Sequence, residues 1–192
     1  TQPLPSGRKV AVLTTAGGGG VGTADAISGT DLALTALPDD LRSSLDALLP
    51  PRWSRNNPID LAGGETKDTI PEVIGLVARH SGIDAVVLLG MGIQDNQGRM
   101  EREGRFYPDH GLERICAFHD RQDRRYAATA AALSEETGKP ILVATELAVT
   151  SPGNAAVRGT IESGRYCFPS SNRAVVALDA MWRHARWRHR RS

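Results

Sequence analysis

The sequence contains few cysteines, few aromatic residues and no long apolar stretch, and each of these shortages excludes a class of protein or site. Of its 192 residues, two are cysteine and 5% are aromatic. Cys116 and Cys167 lie far apart and lack the spacing of a zinc or redox motif, so we expect two reduced thiols and no metal site. No stretch of the chain approaches the ~20 apolar residues that a membrane-spanning helix needs, and we expect no membrane partner.

An excess of charge of one sign is also missing. The 23 basic residues balance 22 acidic residues, which leaves a formal net charge of +1. Because nucleic-acid binding depends on positive charge, the molecule as a whole gives no reason to expect a nucleic-acid partner. Arginines and histidines do crowd residues 183–191, at the end of a predicted helix. That cluster is either a basic patch for RNA or a protein partner, or a solvated helix end, where cations are favourable.

The N-terminal end carries no recognisable targeting signal. Residues 1–7 contain no basic segment followed by an apolar one, so we expect a cytoplasmic protein. A chain of 192 residues, 40% of them hydrophobic, can bury one sizeable core. We therefore interpret residues 1–7 as a linker and residues 8–192 as one domain. Since the chain starts without methionine on a proline-containing segment, we also expect it to be cut from a longer polypeptide.

Short apolar runs alternate with helical patterns along the chain. The predicted strands are Lys9 to Thr14, Leu32 to Leu37, Asp84 to Leu89, Pro140 to Ala144 and Arg165 to Phe168. The predicted helices cover residues 21–29, 39–48, 68–80, 113–137, 154–163 and 171–190. This alternation predicts an α/β fold, a flavodoxin-like doubly wound five-stranded parallel sheet in the order 2-1-3-4-5. Ligands of such folds bind at the carboxyl ends of the strands, near the switch between strands 1 and 3.

The most informative motif follows the first predicted strand. Gly17, Gly18, Gly19 and Gly20 come shortly after Thr15 and precede a predicted helix. Glycines let the backbone come close to a ligand, while the first N–H groups of a helix and its positive dipole end attract an anion. We expect a phosphate or a carboxylate to bind here.

Other loops are expected to reach the same edge of the sheet. The loop after the third strand contains Gly92, Ile93 and Gln94, and Glu146 follows the fourth strand. Glu146 is the one acidic residue well placed for the rim of the site. The remaining candidate rim residues are Asn57, Asp60, Gly63 and Gly64.

Residues 95–125 form a long polar segment rich in Arg, Asp, Glu and Gln. The segment is longer than an ordinary connection between a strand and a helix. It is either a lid or docking surface at the ligand edge, or a solvated loop followed by a long amphipathic helix. We favour the second interpretation.

Two common nucleotide motifs do not fit the glycine run. No Gly-Lys-Ser or Gly-Lys-Thr follows it, as a Walker A motif would require, and its spacing fits the dinucleotide fingerprint poorly. In addition, no acidic residue ends the second predicted strand, where a ribose hydroxyl would need an acceptor. A nicotinamide-dependent enzyme is therefore the weaker interpretation.

Six segments in this order resemble one known family. They are residues 10–25 (VAVLTTAGGGGVGTAD), 49–51 (LPP), 57–61 (NPIDL), 84–88 (DAVVL), 139–143 (KPILV) and 166–178 (YCFPSSNRAVVAL). Together they resemble the ligase-CoA domain of the NDP-forming acyl-CoA synthetases, relatives of succinyl-CoA synthetase. The resemblance extends over nearly the whole chain, from about residue 7 to residue 188.

The resemblance implies one part of a larger ligase. Enzymes of that family interconvert an acid, CoA and a nucleoside triphosphate with acyl-CoA, nucleoside diphosphate and phosphate, through a phosphohistidine. The complete enzyme would use CoA, ATP or GTP, and Mg, and no cofactor would be bound tightly by this chain. A CoA-binding domain, a phosphohistidine domain and an ATP-grasp domain would be partners, in the same or another chain, and a homo- or hetero-oligomer is expected.

By similarity, the substrate and phosphate contacts fall on two loops. They are Thr15, Gly17 and Gly18 in the first loop and Gly92, Ile93 and Gln94 in the loop after the third strand. Thr15 stands where the family usually has Asn, so a hydroxyl replaces an amide. The family's phosphorylated histidine lies in a Ser-His-Thr-Gly-like segment, which this sequence does not contain. We therefore expect no catalytic residue in this chain and no complete catalyst; the alternative is a non-catalytic binding or regulatory module that retains the fold.

Overall fold

The structure, a computed structural model, describes residues 2–15, 17–61 and 68–191. In this part of the chain, six strands form one parallel sheet. They are β1 (Lys9–Thr14), β2 (Ala33–Leu34), β3 (Ile59–Asp60), β4 (Ala85–Leu89), β5 (Ile141–Ala144) and β6 (Cys167–Phe168). The helices are α1 (Gly17–Ser28), α2 (Asp39–Asp46), α3 (Thr69–Arg79), α4 (Ile93–Arg102), α5 (Leu112–Thr137), α6 (Leu147–Thr150), α7 (Ala155–Glu162) and α8 (Ser171–His189).

The predicted fold class is confirmed. The strands follow the order β2-β1-β4-β5-β6, which is the predicted 2-1-3-4-5 order, and β3 pairs with β1 beside this path. Strand β3 was not predicted as a strand, and its residue Asp60 was predicted only as a rim residue of the site. All strand pairs are parallel, so their carboxyl ends meet at one edge of the sheet.

One edge of β1 is shared by two short strands. Lys9 and Val10 pair with β2, whereas Leu13 and Thr14 pair with β3. The side chain of Asn57 fills the gap between them. Its Oδ1 accepts a hydrogen bond from the Val12 N–H at 2.9 Å, and its Nδ2 donates to the carbonyls of Val10 at 2.8 Å and Thr35 at 2.9 Å. Asn57 thus replaces the missing strand backbone at this point of the sheet.

The core lies on both faces of the sheet because successive residues of a strand point to opposite faces. Val10 and Val12 pack with Ile27 of α1 and Leu178 of α8 on one face. Ala11 and Leu13 pack on the other face, against residues of α2, α3, α5 and α7. Fully burying one such Val or Leu side chain stabilises the fold by roughly 1.5–3 kcal/mol. These two layers leave the strand ends as the place for a ligand.

Helix α1 begins earlier than the sequence predicts, and helix α4 was not predicted. Helix α1 starts at Gly17 instead of residue 21, so the four glycines are its first turn and not a loop before it. Their low helix propensity hides this turn from a sequence-based prediction. Helix α4 covers residues that were predicted to be a solvated loop, and that part of the prediction for 95–125 is wrong. The long helix expected from residue 113 is confirmed as α5.

Cys116 and Cys167 are both buried and form no disulfide. In the described ranges, none of the helices combines the length and apolar character that crossing a bilayer demands. The same ranges contain no group of three or more His, Cys, Asp or Glu side chains that could hold a metal ion.

Candidate functional site

The carboxyl ends of β1, β4 and β5 form the edge where the predicted loops lie. Thr15 follows β1, Gly90 follows β4 and Thr145 follows β5. Helices α1 and α4 both begin at this edge. Parallel strands therefore bring residues that are far apart in the sequence to one rim.

The first turn of α1 is open on one side and packed on the other. A Cβ added at Gly18 would meet no atom within 4 Å. A Cβ added at Gly20 would lie 3.0 Å from the Cβ of Pro58 and 3.4 Å from the Cγ2 of Thr14. The first four N–H groups of an α-helix have no partner within the helix. Gly20 packs against Pro58 and Thr14, while the Cβ direction of Gly18 points into open space.

Thr15 and Gly90 join the ends of β1 and β4. The Thr15 hydroxyl donates a hydrogen bond to the Gly90 carbonyl at 2.9 Å. Gly90 has a φ of 77°, in the left-handed region that favours glycine, and a Cβ there would collide with the Thr15 hydroxyl. The two residues fix the distance between the first two loops.

The beginning of α4 is held by a carboxylate from another helix. Asp123 of α5 is 2% exposed and accepts hydrogen bonds from the Gly92 N–H at 3.3 Å and the Asp95 N–H at 2.7 Å. Two of the backbone donors at the predicted anion site of α4 therefore already bond a protein carboxylate. These two donors of α4 are already used within the protein.

Burial raises the pKa of Asp123 to about 6, against the two backbone hydrogen bonds that lower it. The nearby carboxylates of Asp95 and Asp120 raise it further. Burial also raises the pKa of Asp95, assisted by its hydrogen bond with Asp120. Arg102 offsets part of this negative charge through a 2.6 Å ion pair with Asp120. The result is an acidic cluster behind the start of α4.

A second set of hydrogen bonds fixes the same loop from α7. Asn154 caps α7 and donates from Nδ2 to the Gly92 carbonyl at 2.9 Å. The Ala155 N–H donates to the Asp95 carboxylate at 2.9 Å. Gly92, with a φ of 95°, is thus held between α5 and α7.

Two cavities open beside these loops. The first, which we call the Asp123 cavity, has a volume of about 230 Å³. Its wall consists of Thr15, Ile70, Gly90, Met91, Ile93, Gln94, Gln97, Asp123 and Tyr126. The second, the Ser170 cavity, has a volume of about 250 Å³. Its wall consists of Thr14, Gly19, Leu89, Gly90, Ile93, Asn96, Ala144, Thr145, Glu146, Leu147, Ser170 and Ser171.

The two cavities share Gly90 and Ile93, so they adjoin each other. The Ser170 cavity borders the start of α1 through Gly19 and the start of α8 through Ser171. None of its described wall residues is Lys or Arg. Any stabilisation of an anion by the described residues there comes from helix N-termini and hydroxyl groups.

Most predicted site residues lie at this edge. Those that line one of the two cavities are Thr15, Gly19, Ile93, Gln94 and Glu146. Gly17, Gly18 and Gly20 share the first turn of α1 with Gly19, and Gly92 starts α4.

Of the rim residues predicted in the loop around Asn57, only some lie at this edge. Asn57 bonds β1 and Thr35, and so lies within the sheet. Asp60 ends β3 beside Thr14, at the carboxyl edge. Gly63 and Gly64 lie outside the described residues.

Asp123, Tyr126 and Ser170 were not predicted as site residues. Asp123 and Tyr126 lie on a helix that the sequence marks only as long and amphipathic, and no motif distinguishes them from its other polar and aromatic residues. Ser170 had a signal that could have been used, since a serine before a predicted helix is a typical N-cap. Its hydroxyl does accept a hydrogen bond from the Arg173 N–H at 3.4 Å.

The basic C-terminal end of α8 is partly neutralised. Arg183 forms a 2.9 Å ion pair with Asp179, and Arg186 lies 3.5 Å from Asp31. These contacts agree with a solvated helix end; the absence of a nucleic-acid partner stays a prediction.

Comparisons with known proteins support the resemblance seen in the sequence. Residues 10–93 match the family described as the ligase-CoA domain. The chain is 34% identical over 89 residues to the alpha subunit of acetate–CoA ligase [ADP-forming] II from Pyrococcus furiosus, a match that covers 46% of this chain and 20% of that subunit. It is 28% identical over 86 residues to 4-hydroxybutyrate–CoA ligase [ADP-forming] from Nitrosopumilus maritimus, a match that covers 45% of this chain and 12% of that protein.

A solved structure extends the likeness in fold to almost the whole chain. The dinucleotide forming acetyl-coenzyme A synthetase 1 of Ca. Korarchaeum cryptofilum aligns with a TM-score of 0.68 at 22% identity. The alignment covers 96% of this chain and 35% of that protein's chain. The chain therefore spans about a third of the length of this synthetase.

Proposed function

We propose that this chain, whose residues 10–93 match the ligase-CoA domain family, is one domain or subunit of an NDP-forming acyl-CoA synthetase. The complete enzyme would convert an acid, CoA and a nucleoside triphosphate into acyl-CoA, nucleoside diphosphate and phosphate. Within it, residues 1–7 would be a linker and residues 8–192 the ligase-CoA domain. Support comes from two relatives named as ADP-forming CoA ligases.

The observation that carries this proposal is the open first turn of α1 beside the Ser170 cavity. Gly18 would accept a Cβ without a contact, and Gly19 lines the cavity. A phosphoryl group or an acyl carboxylate placed there would face the N-termini of α1 and α8. Such fixed dipoles stabilise an anion without the reorganisation that water would need.

Glu146 would have a different task in the same cavity. Its side chain lines the Ser170 cavity and is exposed. A carboxylate there repels a free anion, but it can accept a hydrogen bond from the ring N–H of an incoming histidine and so orient the imidazole. This arrangement suits a phosphohistidine delivered by another domain.

The other components would belong to other domains, in the same or another chain. CoA, and ATP or GTP with Mg²⁺, would bind to a CoA-binding domain and an ATP-grasp domain, and the assembly would be a homo- or hetero-oligomer. This chain would hold the reacting anion and bring it into line with the histidine, a contribution made by position and electrostatics.

Two glycine variants test the proposal in the assembled enzyme. Gly18 and Gly22 are both exposed residues of α1, and an added Cβ meets nothing within 4 Å at either position. We expect Gly18→Ala to lower kcat/KM for acyl-CoA formation roughly 10- to 100-fold, because the methyl group displaces the anion from the helix N-terminus.

Gly22→Ala is the matched control. It adds the same methyl group one helical turn further along and should leave kcat/KM unchanged. Equal activity of Gly18→Ala, Gly22→Ala and the unmodified chain, reconstituted with the missing domains, would show that the anion does not bind at α1.

One observation favours a second candidate, a binding or regulatory module without catalysis. The Thr15 hydroxyl is already used in its hydrogen bond to the Gly90 carbonyl, so Thr15 is less available to a ligand than a longer amide would be. A module that only retains the fold should not bind phosphate, whereas the ligase domain should bind it at the start of α1. Calorimetric titration of the chain with inorganic phosphate separates the two candidates.

A further inference from the structure

The Asp123 cavity adjoins the proposed anion site but differs from it in chemistry. Ile70, Met91 and Tyr126 are buried residues of its wall, and Ile93 separates it from the Ser170 cavity. Its volume of about 230 Å³ is below the roughly 300–1,000 Å³ of pockets for drug-sized ligands. The cavity fits a short, mostly apolar group.

The polar part of the wall accepts hydrogen bonds and carries negative charge. Asp123 is the one ionisable acid among the nine described wall residues, and none of the nine is Lys, Arg or His. Asp95 and Asp120 lie behind it, and Arg102 forms an ion pair with Asp120 at 2.6 Å.

A second wall residue offers an acceptor. The Oε1 atom of Gln94 is out of contact with solvent and has no hydrogen-bond partner among the described residues. Its Nε2 donates to the Tyr126 hydroxyl at 3.4 Å. A buried acceptor without a partner is unfavourable, so a ligand that supplies a donor is favoured here.

We propose that the Asp123 cavity receives the acyl chain of a short monocarboxylic acid, prefers a chain that ends in a hydroxyl group, and rejects dicarboxylic acids. This inference rests on the proposed function, since it assumes that the carboxyl end of the acid lies at the start of α1. The terminal hydroxyl donates to Asp123 or to Gln94. A terminal carboxylate meets the Asp123 carboxylate in a wall whose described residues include no cation, and a like-charge contact of this kind is strongly unfavourable.

Three five-carbon acids test the proposal because they differ only at the far end. Pentanoate ends in a methyl group, 5-hydroxypentanoate in a hydroxyl and glutarate in a second carboxylate. The chain is titrated with each acid at about pH 8, where Asp123, with a pKa of about 6, is ionised. Binding is followed by the NMR shifts of the backbone amides of Gly90 and Gln94.

We expect 5-hydroxypentanoate to bind more tightly than pentanoate and glutarate to bind at least about tenfold more weakly than pentanoate. Asp123→Asn should remove most of the penalty on glutarate, because the amide carries no charge. Asp109→Asn, at an exposed position of the turn before α5, is the matched control and should preserve the order of the three acids.

Two results would overturn the proposal. The first is glutarate binding to the unmodified chain as tightly as pentanoate, a comparison that needs no variant and holds even if Asp123→Asn does not fold. The second is the absence of any shift with all three acids. The two hypotheses fail in different ways. If only the proposed function is wrong, the assembled enzyme forms no acyl-CoA, while the three acids still bind to the chain in the expected order.

Discussion

At the scale of single residues, neighbouring glycines of one helix have different tasks. Gly20 packs against Pro58 and Thr14, whereas Gly18 and Gly22 face open space. A run of glycines therefore combines a packing requirement with access for a ligand, and sequence alone does not distinguish the two.

Stability measurements separate these tasks. Gly20→Ala should lower the free energy of unfolding by about 1–3 kcal/mol, because its Cβ would lie 3.0 Å from the Cβ of Pro58. Gly22→Ala should raise it by roughly 0.4–1 kcal/mol, since alanine reduces the entropy of the unfolded chain without a clash. Urea denaturation of both variants provides the comparison. A stabilised Gly20→Ala variant would mean that the Pro58 contact is not made.

The structure gives Asn57 a different role from the predicted one at the rim of the site. Its side chain makes three hydrogen bonds with the backbone of β1 and Thr35. Asn57→Ala should therefore lower the free energy of unfolding by about 2–4 kcal/mol, because partly buried backbone groups lose their partners.

Asn172→Ala, at an exposed position near the start of α8, is the control and should change the stability by less than about 0.5 kcal/mol. Both variants are compared by urea denaturation. A similarly small effect of Asn57→Ala would contradict the structural role of its amide.

The contribution of Asp123 to the free energy of unfolding decreases as the pH rises, which is the opposite of the usual effect of a carboxyl group. Its pKa rises from 3.8 to about 6 on folding, so between these values the folded chain holds a proton that the unfolded chain releases. The contribution of Asp123 to stability is therefore greatest below about pH 4 and declines as the pH rises through 6, by about 1–3 kcal/mol. Asp40 and Glu136, whose pKa values are lowered by His80 and Arg79, act in the opposite direction.

The difference between the unmodified chain and Asp123→Asn isolates this contribution. The unfolding free energy of the unmodified chain minus that of the variant should decrease between about pH 4 and pH 7. Urea denaturation across this range measures it. A difference that stays constant with pH would show that the burial of Asp123 does not perturb its ionisation.

At the scale of elements, some strands and helices can be predicted from their own residues alone. β1, β4 and β5 are continuous apolar runs, all buried apart from Lys9, and their prediction needed no information from elsewhere. α5 is also evident from its length. Elements of this kind obtain their burial from a pattern that is visible within the segment itself.

Other elements depend on residues that are distant in the chain. The start of α4 is set by Asp123 and Asn154, which are 31 and 62 residues away from Gly92. β3 exists because Ile59 and Asp60 pair with the end of β1. The sequence predicts the glycine loops of the candidate site, while Asp123 and its cavity follow only from tertiary packing.

At the scale of the whole molecule, one sheet edge brings together the proposed anion site, the Asp123 cavity and the exposed Glu146. Helices on both faces fix the strands, and the strand ends position the first turn of α1 next to Gly90 and Ser170. The central claim is therefore that the first turn of α1 binds the anion.

Titration of the chain with inorganic phosphate, followed through backbone amide shifts by NMR, tests this claim most directly. The expected result is a saturable shift at Gly18 and Gly19 that Gly18→Ala weakens and Gly22→Ala does not. Shifts confined to the arginine-rich residues 183–191 at the other end of α8, with none in α1, would contradict it.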